Sequence, residues 1–309
     1  GMLINYLDEK NFRGARTAAG KPEQEQRRQM EVDKEVEAGV KFLDFDIQDL
    51  EEFYRQAHER FCSDPEFARK AREWVVKLQA GDGGARVYWD NYVRLSLRHC
   101  QEIYDRLGVK LTRADVRGES FYNRMLPEVA AELAAAGLLE ESEGARCVFL
   151  EGFKTKEGKP LPLIVQKRDG AYLYATTDLA ALRYRIRQLG ARRLIYVTDA
   201  RQKLHFDMLF ACARQAQWVD ENIKLEHVPF GSVLDKTGKP FKTRSGENVK
   251  LKDLLDEAVT RARQVVEDKN PGLSKDKKQE IAHAVGIGAV KYADLSNNLV
   301  SDYVFDWDK

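Results

Sequence analysis

A strand followed by a turn and a helix occurs twice in succession in the middle of this chain, and this repeat most limits the possible fold. We predict strands over Tyr172–Ala175 and Leu194–Thr198, followed by helices over Leu179–Leu189 and Leu204–Gln215 respectively. A third strand is predicted within Ile223–Leu234. Strands that alternate with helices are typical of a parallel sheet with crossover helices. The sequence therefore predicts an α/β fold, in which ligands bind beyond the carboxyl ends of the strands.

Helical patterns flank this region on both sides. Hydrophobic residues at helical spacing predict helices over Asp46–Arg60, Asp64–Lys77, Tyr88–Leu107, Asn123–Ala136, Leu251–Asp268 and Lys277–Leu295. The sequence AGDGGA at residues 80–85 is predicted to be a loop, and Cys147–Phe153 is predicted to pair with residues 161–167 in a β-hairpin.

Charge and cysteine content exclude several classes of protein. The 309 residues include 51 Lys and Arg against 50 Asp and Glu, and this balance provides no overall attraction to nucleic acid or membranes. No apolar run approaches the roughly 20 residues that a membrane span needs. The four cysteines form no CxxC pair and the five histidines no HxxxH pair, so no structural metal site is predicted. Such cysteine usage fits reduced thiols in a cytosolic protein.

The first of three polar clusters follows the strand that is predicted to end at Ala175. Tyr174 and Asp178 lie four residues apart at a predicted strand-to-helix turn, which can aim both side chains into one crevice. A guanidinium suits this pair because its planar fork can bond both oxygens of a carboxylate. The alternative is that Thr176, Thr177 or Asp178 only caps the helix.

The second cluster follows the next predicted strand and contains Asp199, Arg201, Gln202 and His205. Gln202 can exchange hydrogen bonds with a polar substrate, and His205, in the first turn of a helix, can meet a nucleotide. The alternative is that Asp199 caps the helix and Arg201 is solvated.

The third cluster is a basic loop after Leu234. Lys242, Thr243, Arg244 and Ser245 have a composition and spacing suited to binding phosphates, where cations offset developing negative charge. The alternative is a solvated basic turn. Neither GxxxxGK[ST] nor GxGxxG occurs, so a P-loop and a dinucleotide site are not predicted.

A series of segments, in order along the chain, resembles bacterial arginyl-tRNA synthetase, a family of class I aminoacyl-tRNA ligases. These segments are ESFYNRMLPEV, LYATTDLA, TDARQKLHF, FGSVLDKTGKPFKTRSGENVKLKDLLDEA, AVGIGAVKYADLS and DYVFDWD. The opening GMLINYL resembles the stretch just after that family's first ATP motif. The resemblance covers almost the whole chain.

The resemblance implies a reaction in which ATP, with Mg²⁺, activates L-arginine to arginyl-adenylate, and arginine is then transferred to tRNA(Arg). It implies that Tyr174, Asp178 and Gln202 recognise the arginine side chain. Phe241–Ser245 stands in the place of the class I KMSKS loop, with Lys242 and Arg244 as catalytic residues. The ATP-binding residues that it implies are His205, His227, Phe230, Gly231, Val233, Lys242, Thr243, Arg244 and Ser245.

The resemblance also implies an architecture, that of a class I Rossmann-like parallel sheet with a helical insertion and C-terminal helices. Residues 1–118 resemble the end of the first Rossmann half and a helical connective region, and residues 119–169 a connective insertion. Residues 170–250 resemble the second Rossmann half, and residues 251–309 the start of a helical stem-contact region.

One departure from the family limits the expected activity. The chain contains no HxGH-type motif and no anticodon-binding region, so we expect a middle fragment that is inactive alone, cytoplasmic and monomeric. Two alternatives remain open at this point: a class I synthetase for another amino acid, and a non-catalytic RNA-binding homologue.

Overall fold

The computed structural model describes residues 2–14, 50–234, 238 and 250–305. The chain divides into two units, Gly1–Arg113 and Ala114–Lys309, and each has its own buried cluster of hydrophobic side chains. None of the helices in these described stretches is long and apolar enough to cross a membrane.

The first unit is helical in its described part. It contains α1 (Met2–Gly14), α2 (Leu50–Ser63), α3 (Pro65–Gln79) and α4 (Gly83–Leu107). Its core consists of Ile4, Leu7, Phe53, Tyr92 and Leu95. The three helices predicted here are confirmed, whereas α1 was not predicted.

The predicted loop at residues 80–85 is wrong over its second half. Gly83 to Ala85 form the first turn of α4, because the Asp82 carboxylate accepts a hydrogen bond from the backbone N–H of Ala85 at 2.8 Å. This capping bond offsets the poor helix propensity of the two glycines. The helix ends at Gly108, whose φ of 66° is left-handed.

After a 3₁₀ turn (Arg113–Asp115) at the boundary, the second unit contains a 3₁₀ helix (Glu119–Met125), α5 (Leu126–Ala135) and an antiparallel sheet. The sheet has the order β1 (Leu139–Ser142), β2 (Ala145–Lys154), β3 (Pro160–Gln166). The predicted hairpin of β2 and β3 is confirmed. Strand β1 was not predicted, since its sequence LEES has low strand propensity and forms a strand by pairing with β2.

The α/β part follows as α6 (Tyr174–Arg187), β4 (Arg193–Asp199), a 3₁₀ turn (Ala200–Gln202), α7 (Lys203–Gln215) and β5 (Lys224–Phe230). Strands β4 and β5 pair in parallel along their whole length, as a crossover through α7 requires. Two helices predicted from the pattern, α6 and α7, are confirmed in type and approximate bounds.

The predicted strand over Tyr172–Ala175 is wrong, because α6 already begins at Tyr174. Tyr172 makes only an isolated antiparallel bridge to Gln166. The Leu173 carbonyl accepts hydrogen bonds from the N–H groups of Thr176 and Thr177, which closes the helical turn early. The buried Thr176 hydroxyl donates to the Val165 carbonyl and fixes this turn on β3.

The third predicted strand, Ile223–Leu234, is divided in two. Strand β5 ends at Phe230, and the short β6 (Val233–Leu234) pairs in parallel with β7 (Tyr303–Val304) near the C-terminus. The two predicted C-terminal helices are confirmed as α8 (Leu251–Lys269) and α9 (Lys275–Leu295).

Helices α8 and α9 approach each other closely at one glycine. A Cβ atom built on Gly286 would lie 2.8 Å from the Ala258 carbonyl oxygen and from the backbone of Val259. At Gly288, one half-turn further along α9, the same atom would meet nothing within 4 Å.

The main core of the second unit joins α5, the antiparallel sheet, α6 and α7. Its fully buried members include Val129, Leu133, Val148, Leu179 and Leu209. On α6, Nη2 of the buried Arg183 lies 2.6 Å from Glu128 and from Glu132 of α5, at the edge of this core, whereas its Nε atom has no hydrogen-bond partner in the described residues. A buried cation needs such partners because burial without them is very costly.

The four cysteines divide between the two units. Cys62 and Cys100 are exposed in the first unit, and Cys147 and Cys212 are buried in the second. Burial raises the pKa of the Cys212 thiol to about 12.

Candidate active site

The carboxyl ends of β4 and β5 lie side by side, with Asp199 paired opposite Phe230. Two of the predicted polar clusters lie near this edge. The second cluster follows β4, and the first lies in α6, which packs against α7.

Asp178 and His205 are the two predicted site residues in direct contact. Oδ2 of Asp178, on α6, lies 2.7 Å from Nε2 of His205, on α7. Their side chains are 38% and 30% exposed, so both remain accessible to a ligand. An ionised carboxylate only accepts hydrogen bonds, and we therefore assign the proton to Nε2 of His205.

The capping alternative for this cluster is wrong. The N-cap of α6 is Leu173, which makes no side-chain capping bond, and the Thr176 hydroxyl bonds to β3 instead. Asp178 is thus free of a local backbone role.

Tyr174 and Gln202 lie at the starts of the two helices that carry Asp178 and His205. Tyr174 is the first residue of α6 and 71% exposed, and Gln202 is the exposed N-cap of α7. In the part of the chain that the structure describes, no hydrogen bond joins either residue to Asp178. The structure therefore places these residues at neighbouring helix starts without bonding them to one another.

Asp199 and Arg201 pair with each other. The Asp199 carboxylate accepts from the Arg201 backbone N–H and from its guanidinium, at 2.8 to 2.9 Å. The Arg201 side chain, and then its backbone N–H, lower the pKa of Asp199 to about 2. Asp199 is confirmed as a cap, although of the 3₁₀ turn that precedes α7 and not of α7 itself. Arg201 pairs with this carboxylate and is also solvated, since its side chain is 87% exposed.

His227 lies on β5 among aromatic side chains of α7. Its Nε2 atom lies 2.8 Å from the Thr198 hydroxyl, and its ring stacks on Phe206 with centroids 4.8 Å apart. Phe206 also contacts Tyr196, whose buried hydroxyl has its pKa raised by burial. These contacts fix the orientation of the His227 ring.

A cleft of about 710 Å³ opens beside the ends of the two strands. Phe230, Gly231 and Val233 line one side, and residues of the segment 294–303, including Asp294 and Asn298, line another. Three of the predicted nucleotide-binding residues therefore share one cavity.

Segment 294–303 was predicted to belong to a stem-contact region and not to the nucleotide site, although it forms much of this cleft. The Gly231 N–H donates to the Leu299 carbonyl at 2.9 Å, and the Ser232 N–H donates to Oδ1 of Asp302 at 2.6 Å. Tyr303 donates its hydroxyl proton to Asp294, and burial, followed by this bond, raises the Tyr303 pKa to about 12. The resemblance of the DYVFDWD segment to the family was the sequence signal that could have indicated a role for this region. Its contact with Ser232, about 70 residues away, could not be predicted from a local pattern.

Comparison with known proteins decides the family. Residues 33–307 match the family described as tRNA synthetases class I (R), catalytic domain. The chain belongs to this family. The resemblance seen in the sequence, and the α/β fold that it implied, are thereby confirmed.

Curated relatives in this family carry the name Arginine–tRNA ligase. The protein of Laribacter hongkongensis is 55% identical over 265 residues, which are 86% of this chain and 46% of that protein. The protein of Alcanivorax borkumensis is 53% identical over all 309 residues, which are 49% of its length. The chain thus spans about half the length of the curated relatives that it matches.

Solved structures of arginyl-tRNA synthetases share the fold. The crystal structure of the Plasmodium falciparum protein has a TM-score of 0.67 at 32% identity, covering 84% of this chain and 41% of that one. The Thermus thermophilus protein has a TM-score of 0.63 at 20% identity, covering 83% and 47%, which shows the fold alone.

Phe241–Ser245, which was predicted to correspond to the class I KMSKS loop, lies outside the described residues. Lys242, Thr243, Arg244 and Ser245 are therefore predicted site residues without a structural account. Within the described residues, no group of three or more His, Cys, Asp or Glu side chains is arranged to hold a metal ion.

Proposed function

We propose that this chain carries the arginine-selecting part, and one side of the nucleotide cleft, of an arginine–tRNA ligase. The observation that carries the proposal is the accessible Asp178 carboxylate, which has no capping role and lies near the starts of two helices. Relatives named Arginine–tRNA ligase match the surrounding sequence at over 50% identity, which supports this assignment.

Asp178 provides the negative charge for the arginine side chain. A guanidinium presents parallel N–H donors to a carboxylate, which gives this pair both affinity and orientation. Tyr174 offers an exposed aromatic ring for the cation to stack against, and Gln202 offers an amide to a remaining N–H or to the substrate backbone. A lysine ammonium, as a compact point charge, gains less from such a planar arrangement.

The nucleotide occupies the cleft that Phe230, Gly231 and Val233 line. The family resemblance adds His227 and His205 to the ATP-binding residues. The arginine carboxylate attacks the α-phosphorus of ATP, forms the arginyl-adenylate P–O bond and releases pyrophosphate. Lys242 and Arg244, with Thr243 and Ser245, offset the charge on the phosphates. Mg²⁺ enters with the ATP phosphates, whose oxygens it prefers as ligands.

The wider role follows from the same assignment. We propose that arginine is then transferred to tRNA(Arg), and that the protein is cytoplasmic and monomeric. We propose that residues 1–118 contain the end of the first Rossmann half and a helical connective region, and residues 119–169 a connective insertion. Residues 170–250 would then form the second Rossmann half, and residues 251–309 the start of a helical stem-contact region. The chain alone is expected to be inactive, because its sequence has no HxGH-type motif to complete the ATP site.

A segment exchange tests this function. We would replace the matched part of the Alcanivorax borkumensis protein by this chain, which aligns with it over all 309 residues. The chimera should show arginine-dependent ATP–pyrophosphate exchange, and the chain alone should show almost none. Asp178→Asn in the chimera should raise the KM for arginine at least about tenfold, because a charge-assisted hydrogen bond is lost.

The matched control is Asp207→Asn, which removes a carboxylate from α7 that pairs only with Lys203 in the described residues. It should change the arginine KM by less than about twofold, as exposed ion pairs contribute little. An unchanged arginine KM in the Asp178 variant would refute the proposed role. An inactive chimera in which the chain binds tRNA in a salt-sensitive manner would favour a non-catalytic RNA-binding homologue.

A further inference from the structure

The contact between Asp178 and His205 joins a residue implied in arginine recognition to one implied in ATP binding. The two belong to different helices, and their side-chain atoms lie 2.7 Å apart. A hydrogen bond of this length to a carboxylate is charge-assisted and restricts the rotation of both groups. The pair therefore influences how a substrate that contacts either side chain is oriented.

The ring of His205 is held in place by its neighbours. It contacts Phe206 edge-on, with centroids 5.2 Å apart. Phe206 in turn stacks on His227, which is bonded to Thr198 on β4. Because this series of contacts ends on the parallel strands, the His205 ring is held in one orientation, with Nε2 directed at Asp178.

Four of the five Lys and Arg side chains on the two helices have other partners than Asp178 in the described residues. Arg183 and Arg187 are paired with carboxylates of α5, and Lys203 is paired with Asp207. Arg185 lies over the ring of Tyr196, 5.2 Å from its centroid. The described partner of Asp178 is thus an imidazole, which leaves the carboxylate able to accept an incoming cation.

We propose that His205 is a positioning residue for arginine recognition, which holds Oδ2 of Asp178 so that Oδ1 faces the guanidinium. This inference rests on the proposed function and revises the implied role of His205 in ATP binding. A carboxylate with two oxygens has about four lone pairs, so one bond from His205 leaves the others for a guanidinium. The neighbouring negative charge of Asp178 makes the same imidazole a poor contact for phosphate groups.

Binding measurements on the whole chain test the inference. L-arginine, its neutral isostere L-citrulline, and ATP would be titrated separately by calorimetry. His205→Leu should weaken arginine binding about tenfold, the usual effect of one hydrogen bond to a charged group. ATP and citrulline affinities should change by less than about twofold, because neither uses the orientation of the carboxylate.

Two further variants separate positioning from packing. His205→Gln keeps an N–H donor near the place of Nε2 and should recover most of the arginine affinity, whereas a purely structural role would give both variants similar losses. Lys203→Ala, on the same turn of α7, is the control and should leave all three affinities unchanged.

The possible failures are distinct. A wild-type chain that binds no arginine would overturn the arginine site of the proposed function and this inference together. If the wild-type chain binds arginine, and His205→Leu and His205→Gln bind it with the same affinity, the inference alone would be overturned. If the His205 variants lose affinity for ATP but not for arginine, His205 would be an ATP-binding residue and the inference would be wrong.

Discussion

At the scale of single residues, Gly231 decides how closely two distant segments approach. A Cβ atom at this position would lie 2.3 Å from the Ser301 carbonyl carbon and 2.6 Å from the Asp302 nitrogen. The missing side chain is therefore what allows the backbone bonds that join residues 231–234 to residues 299–305.

We predict that Gly231→Ala destabilises the protein by about 1–3 kcal/mol, the typical cost of overpacking, and weakens ATP binding at the cleft. Gly118→Ala is a suitable control, because a Cβ atom at that position would have nothing within 4 Å and the φ angle there is negative. Urea unfolding and ATP titration of both variants check the prediction. Equal stability of the two variants would show that the segments are not joined in this way.

The site residues show what a sequence can and cannot predict at this scale. A helix after Asp178 was predicted correctly, but Tyr174 was placed at the end of a strand, whereas both residues lie in α6. The contact of Asp178 with His205 was not predicted, since it depends on how α6 and α7 pack. The assigned roles of Tyr174, Gln202 and the residues of Phe241–Ser245 stay predictions.

At the scale of elements, the pairing of α8 with α9 depends on one of the two glycines in the sequence VGIGAV. We predict opposite effects of the same substitution at the two positions. Gly286→Ala should destabilise by about 1–3 kcal/mol, because its Cβ would press on the α8 backbone. Gly288→Ala should stabilise by about 0.5–1 kcal/mol, since alanine is the better helix former and the position is open.

Thermal unfolding followed by circular dichroism would measure both variants under one condition. The two substitutions add the same methyl group to the same helix, so each serves as the control for the other. Destabilisation of similar size at both positions would mean that the close approach of α8 to Gly286 is not what distinguishes them.

Long, periodic elements were predictable, and short elements formed by distant pairing were not. Helix α8 has a continuous amphipathic pattern, and α9 is a long run of residues without proline, so the type of both elements follows from the local sequence. Strands β1, β6 and β7 have no more than four residues each, and their pairing partners make them strands. The predicted strand at Tyr172–Ala175 was wrong for the converse reason. Its residues have high strand propensity, but hydrogen bonds of the Leu173 carbonyl and the Thr176 hydroxyl hold them in a helical turn.

At the scale of the whole molecule, each unit has its own core, and we predict that each core stabilises its own unit. Leu95→Ala in the first core and Leu133→Ala in the second are matched deletions of buried leucines, with 4% and 0% exposure. Each should cost about 2–5 kcal/mol. Calorimetry should show two thermal transitions, and each variant should lower only one. A single transition that both variants lower equally would contradict the prediction.

The division of the cysteines gives the chain a built-in pair of reporters. Thiol-specific dyes react with accessible thiolates, so under native conditions they attach to Cys62 and Cys100 and therefore mark only residues 1–113. Cys147 and Cys212 become reactive only when the second unit opens, and the pKa of about 12 at Cys212 slows its reaction further. The slow phase of dye incorporation would thus time the opening of the part that contains Asp178 and His205, with no residue changed.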